Sequence, residues 1–158
     1  MQDIKTIVDN ITKKYYTTEP IHLCQALGIH LLQADIQPIK GYYTKSNRIK
    51  MITTAYGLSG KEKNIVISHE LGHSILHNDI STTFYHNFTR LSVGRIENEA
   101  NLFAMYLILK KYEYELDLVD DLGEISHITG LGIDLLYRFY KRYWYEDGDL
   151  WWETLKIL

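Results

Sequence analysis

The stretch that most constrains this chain is Asn64-Ile65-Val66-Ile67-Ser68-His69-Glu70-Leu71-Gly72-His73-Ser74-Ile75-Leu76-His77, which contains His-Glu-x-x-His. Residues four apart on a helix lie on one face, one turn apart, so His69 and His73 can aim two imidazoles at a single point. Neutral ring nitrogens converging in this way suit zinc, which favours tetrahedral coordination. Glu70 sits beside the pair and can polarise a water at the metal without being a ligand. The flanking Ile65, Val66, Ile67, Leu71, Ile75 and Leu76 make the segment, about residues 61–78, a buried helix, as a metal in a dry cleft requires. Ser59 and Glu62 have the spacing of a capping box that would start it.

A second helical run, about residues 95–111, contains neither Gly nor Pro. Within it Glu97, Ala100, Asn101 and Ala104 recur at i, i+3, i+4 and i+7 and share a face. The two alanines let a neighbouring helix approach closely, which leaves Glu97 to reach across. Glu99 points elsewhere, near Phe103 and Tyr106, and is expected to be a capping or exposed carboxylate. Two nitrogens from His69 and His73 and one oxygen from Glu97 leave a fourth position for water, the arrangement of a catalytic zinc rather than a closed structural one. His77 continues the four-residue spacing. Each such step drifts about 40° around the helix, however, so a third turn does not supply a third ligand. Nor does Leu76-His77-Asn78 match the metzincin pattern. His77 is assigned to the surroundings of the ligands or to the helix end.

Composition limits the alternatives. At 158 residues the chain reads as one domain, 1–158, with no repeat or linker to support a second. A formal net charge of −3 argues against a general nucleic-acid binder. The single cysteine, Cys24, cannot form an internal disulfide, which points to a reducing compartment; in its apolar helical stretch it reads as a small buried hydrophobe. No apolar run reaches membrane-spanning length and no signal-peptide core opens the chain, so a cytoplasmic location is expected.

The remaining elements follow from periodicity. Ile4, Ile7, Val8, Ile11 and Tyr15 predict an amphipathic helix, and a second begins at Thr18-Glu19-Pro20, with Thr18 as cap, and ends at Gly28. Together these are the N-terminal helices, about residues 1–28. A small antiparallel sheet is expected over about residues 29–55. Its parts are a short strand at Ile29–Leu32 and a hairpin of Gly41–Thr44 and Arg48–Thr53 around Lys45-Ser46-Asn47. Arg48 and Lys50 alternate with Ile49, Met51 and Ile52, as on a half-exposed edge strand. Asn78 to Arg95 is polar and reads as a long irregular loop, a candidate binding loop or lid that holds His86 and Arg90. The C-terminal helical part, about residues 113–158, contains two helices joined by Thr129-Gly130-Leu131-Gly132. Their apolar faces are Leu122, Ile125 and Ile128, then Ile133, Leu136, Tyr137 and Tyr140, with Leu150-Trp151-Trp152 as a small apolar anchor.

His69-Glu70-Leu71-Gly72-His73-x-x-Leu76-His77, followed by Glu97-x-Glu99-Ala100-Asn101-x-Phe103-Ala104, resembles the ImmA/IrrE family of metallo-endopeptidases. The resemblance covers roughly residues 1–140. It implies an α+β fold: a mostly helical, zincin-like metallopeptidase with its small sheet beside the His-Glu-x-x-His helix. The chain departs from the family where Tyr106-Leu107-Ile108-Leu109-Lys110 lacks a Pro that members often carry after the second motif, so that helix is expected to run longer. In size it is similar to the short proteins of phages and mobile elements.

The resemblance also implies a function. Such proteins are antirepressors that cleave a helix–turn–helix repressor encoded nearby and so derepress a prophage or integrative element. By carry-over, His69, His73 and Glu97 would bind Zn2+, Glu70 would be the general base, and Asn101 would orient a ligand. The hairpin edge, about Arg48–Thr53, could hold the substrate as an added strand. No separate donor to the oxyanion is assigned: Tyr42, Tyr43 and His86 each read better as structural residues. The protein partner would be the repressor, with no direct nucleic acid and no membrane. Three other readings stay open: a binding module that sequesters a repressor without cutting it, a zinc hydrolase with a small-molecule substrate, and a toxin–antitoxin component.

Overall fold

In the computed structural model, residues 3–77, 90–117, 119 and 121–144 are described. Helix α1 (Ile4–Tyr15) starts where the Asp3 carboxylate accepts from the Thr6 N–H, and it turns its Val8 side inward. Helix α2 (Pro20–Ala26) is capped by Glu19 rather than Thr18. Pro20 takes the first helical position, which makes its immediate neighbour the cap, and the Thr17 hydroxyl accepts the Glu19 N–H instead. Gly28, at φ +67°, then reverses the chain into the sheet.

Strands β1 (Ile29–Ala34), β2 (Gly41–Ser46) and β3 (Ile49–Ala55) form a sheet of order β1-β3-β2. The hairpin pairs β2 antiparallel to β3, from Gly41↔Thr54 to Ser46↔Ile49, across a tight Asn47-Arg48 turn with φ of 48° and 69°. The other ladder is parallel, from Ile29↔Lys50 to Ala34↔Ala55, so the small sheet is mixed rather than antiparallel. This corrects the edge assignment as well. β3 is the central strand, paired on both sides, and it has no free edge to offer a substrate. Lys50 misled the pattern: its long side chain is partly buried and its Nζ donates to the Ser74 carbonyl at 3.2 Å.

Helix α3 (Gly60–Leu76) begins with the expected capping box, Ser59 and Glu62 bonding each other's backbone N–H groups. The Lys40 ammonium adds a contact of 3.2 Å to Glu62, and these bonds, Ser59 first, hold the Glu62 carboxyl below its ordinary pKa. Helix α4 (Arg90–Lys111) starts earlier than the polar composition suggested. Residues 90–95 are its first turns, Gly94 included, and polar residues there do not interrupt backbone bonding. α4 also runs on past Leu109, as expected without the Pro. The proposed loop interior, with His86, and the Leu150–Trp152 anchor lie outside the described residues.

Two compact units make up the chain, Met1–Ile108 and Leu109–Leu158. In the first, a core of Val8, Leu23, Cys24, Ile29, Tyr43, Ile52, Ile67, Leu71, Phe103 and Leu107 sits among the helices and one face of the sheet. Burial pushes the Cys24 thiol up to about 12, the state of an inert packing residue. In the second unit α5 (Glu113–Leu116) precedes α6 (Leu122–Thr129), capped by Asp121, and α7 (Ile133–Trp144). Gly130 at φ +79° joins the last two. Ile125, Leu131, Leu136 and Phe139 are buried there, whereas Ile133 and Tyr137 are half exposed, so the face expected for α7 holds at Leu136 but not at Ile133 and Tyr137, and the Tyr140 side chain lies outside those described. No helix among the described residues is long and apolar enough to cross a membrane.

Candidate metal centre

α3 delivers the two histidines as the spacing requires. Their Nε2 atoms stand 3.1 Å apart, with ring planes at 79°. α4 brings Glu97 to the same point: Oε2 is 3.3 Å from His69 Nε2 and Oε1 is 3.4 Å from His73 Nε2. Among the described residues, His69, His73 and Glu97 form the one group of His, Cys, Asp or Glu side chains able to hold a metal ion. His73 is closed off at 1% exposed, whereas the Glu97 side chain keeps 33%, so the group is walled on the inside and open on one side.

Helix packing sets this geometry. Gly72 lies between the two histidine turns, where a Cβ would come within 3.2 Å of the Ala100 Cα and carbonyl oxygen and 3.1 Å of the Phe103 Cβ. The small face read on α4 thus meets a glycine on α3. Asn101, on that face, accepts from His69 Nδ1 at 3.0 Å. With Nδ1 carrying the hydrogen, Nε2 is the nitrogen turned toward Glu97.

Electrostatics separates the three groups. Burial pushes His69 down, but the hydrogen bond it donates to Glu97, the charges of Glu70 and Glu97, and Asn101 outweigh it, and its pKa ends above the ordinary value. His73 ends below it, because its burial is offset only in part by Glu97 and is reinforced by the neighbouring His69 and His77. Burial pushes Glu97 up, yet its hydrogen bonds to the two imidazoles dominate and hold it far below the usual carboxylate range.

Glu70 is buried at 6% exposed, one residue from His69. Facing it from β2 is Gly41, where a Cβ would stand 3.7 Å from Glu70 Cγ and 3.2 Å from the Thr53 carbonyl and would overlap Val66. Gly41 had been read only as a hairpin residue; a glycine in a strand opposite a motif helix is the signal for such close approach. Tyr43 is fully buried in the core and cannot reach a substrate; Tyr42 is half-buried.

His77 caps α3, its N–H bonded to the His73 carbonyl, and stands outside the metal-holding group. Glu99 differs from expectation. It is mostly covered, bonded by Arg95 Nε at 2.9 Å, and 3.4 Å from His77 Nε2. Two acidic residues two apart on one helix cannot share a face, and Glu99 found a partner on α3 that periodicity along α4 alone does not reveal.

The family model for the peptidase M78 group, the IrrE N-terminal-like domain, matches residues 24–126. Immunity region protein 2 of Bacillus phage phi105 is 33% identical over 141 residues, covering 81% of this chain and 89% of its own. Metallopeptidase ImmA of Bacillus subtilis strain 168 is 27% identical over 106 residues, 67% of this chain and 63% of its own. A Mycobacterium tuberculosis transcriptional regulator shares the fold at a TM-score of 0.59 and 15% identity; 89% of this chain corresponds to 47% of that larger one. A family match spanning both motifs, joined to a relative matched along most of its length, establishes that the chain belongs to the ImmA/IrrE family of metallopeptidases.

Proposed function

We propose that the protein is a zinc-dependent endopeptidase that cleaves a helix–turn–helix repressor in the cytoplasm and so acts as an antirepressor of a prophage or mobile element. One observation carries the metal part: the separations of 3.1, 3.3 and 3.4 Å among His69 Nε2, His73 Nε2 and Glu97. Bonds of about 2.0–2.1 Å to nitrogen and oxygen give a tetrahedron an edge of roughly 3.3–3.4 Å. The two imidazole nitrogens lie nearly such an edge apart, and each faces a different oxygen of the Glu97 carboxylate at about the same length, an opening into which a zinc ion would fit with a position left for water or substrate.

Zinc, when bound, polarises a scissile carbonyl and makes a water acidic near neutral pH. The chain's own groups do the rest. Glu70 takes a proton from the attacking water and hands it to the leaving amine. Asn101 keeps the proton of His69 on Nδ1 and so keeps Nε2 available. Substrate lies along β2, an edge strand whose first residue, Gly41, is beside Glu70. An extended segment added there would bring its backbone past the base.

The repressor part is supported by the motif resemblance and by the names of two relatives, one an immunity region protein and the other a metallopeptidase. Incubating the purified protein with the repressor encoded beside its gene, with and without chelator, tests the whole reading. Two repressor fragments appear without chelator and none with it. Intact repressor in both tubes refutes it.

A further inference from the structure

A second pair of side chains meets where α3 and α4 pack, in a close contact rather than a hydrogen bond. His77 Nε2 lies 3.4 Å from Glu99 Oε2, with the side chains 10% and 21% exposed. The Arg95 guanidinium donates to the other Glu99 oxygen at 2.9 Å. The His77 backbone N–H bonds the His73 carbonyl at 2.9 Å, which fixes the His77 backbone to the turn that carries His73. On α4, Glu97 and Glu99 are two residues apart, about 200° around the axis. α4 therefore grips the histidine row of α3 from two flanks, with Ala100 packed on Gly72 between them.

A helix gripped on one flank can roll about its axis; one gripped on both cannot. At a side-chain radius of about 5–6 Å, a roll of about 10° carries a carboxylate roughly 1 Å. A working site tolerates only about 0.5 Å. We infer that His77 and Glu99 are positioning residues: their pairing fixes the roll of α4 and so holds the Glu97 carboxylate at the distance from His69 and His73 that zinc needs. The inference rests on the zinc reading above and gives neither residue a place among the ligands.

The test measures zinc affinity of the full chain by competition with a chromophoric chelator. The samples are wild type, His77→Ala, Glu99→Ala, the double variant and Glu99→Gln. Each single alanine variant weakens zinc roughly tenfold. The double variant is within about twofold of the weaker single, because the same link is lost in all three. Glu99→Gln, which still offers an oxygen to His77 and Arg95, recovers most of the affinity. Cobalt-substituted alanine variants show an altered d–d spectrum, and thermal midpoints of the metal-free proteins report folding separately. Affinities within about twofold of wild type overturn the inference even if the midpoints fall, as the link then serves only the fold. Additive losses also overturn it, and so does a loss beyond about 10²-fold in Glu99→Ala, which would make Glu99 a ligand. A wild-type protein that takes up no zinc refutes the zinc reading itself, a distinct result.

Discussion

Gly72 of α3 sits directly on the backbone of Ala100 of α4, where a hydrogen fits freely and a methyl group only tightly. Both belong to the motifs that carry the metal-holding residues, so one contact spaces the two helices and the three side chains together. Gly72→Ala adds a methyl group to which the Ala100 backbone and Phe103 must yield by a few tenths of an ångström. It costs about 1–3 kcal/mol of overpacking, offset by about 1 kcal/mol of helix propensity. Urea unfolding of the metal-free variant is expected to show a small net loss, and zinc competition a drop of at least roughly tenfold. Unchanged zinc affinity would mean that this crossing does not set the site.

The metal content follows from the ligand set. About one zinc per chain is expected by elemental analysis after metal-replete expression. Structural zinc sites gain roughly 10–16 kcal/mol from four ligands, or about 3 kcal/mol each. His69→Ala, His73→Ala and Glu97→Ala should therefore each weaken binding by about 10²-fold or more, and Asn101→Ala by about tenfold. If Glu97→Ala retains wild-type affinity, the carboxylate has been misassigned.

Glu70→Gln keeps size and polarity but cannot take a proton. The variant is expected to fold and hold zinc while repressor cleavage falls at least ~10²-fold. Comparing cleavage on a gel with reporter derepression separates enzyme from sequestering module. Full derepression by the variant, with the repressor intact in both samples, would show capture without cutting.

Proton competition gives a pH profile for zinc. Binding requires neutral imidazoles. His69, raised above the ordinary histidine value, is the first to be protonated as pH falls, whereas His73 and Glu97, both lowered, compete only further down. Affinity should thus be level well above the His69 pKa and decline by about tenfold per pH unit once pH drops below it. Competition titrations from about pH 8 to about pH 5.5 check this; a flat profile over that range would contradict the shift at His69.

Local signals were legible in the sequence where a single element determines the outcome. The His69–His73 pair, the Ser59–Glu62 box, the Gly28 reversal and the α6–α7 turn each depend on spacings within one turn or helix. What escaped depends on partners distant along the chain. β3 is central because β1 joins it in parallel, and nothing within Arg48–Thr53 records that neighbour. Lys50 looked solvent-facing until Ser74 supplied a carbonyl for it. Glu99 looked exposed until His77 arrived from another helix. The first turns of α4 were missed because polar residues were taken for a loop, although helical backbone bonding is indifferent to them.

The two lysines around the hairpin have an unequal bearing on salt. Lys40 meets Glu62 at the start of α3 with both side chains largely in water, whereas Lys50 holds the Ser74 carbonyl near its end in a partly buried contact. Mobile ions screen the first and hardly reach the second. Rising ionic strength therefore unfastens α3 from the end remote from His73 while the histidine end stays moored. Amide exchange in concentrated salt would quicken first around Lys61–Lys63, and the helix would yield like a plank nailed at one end, with its working end the last to lift.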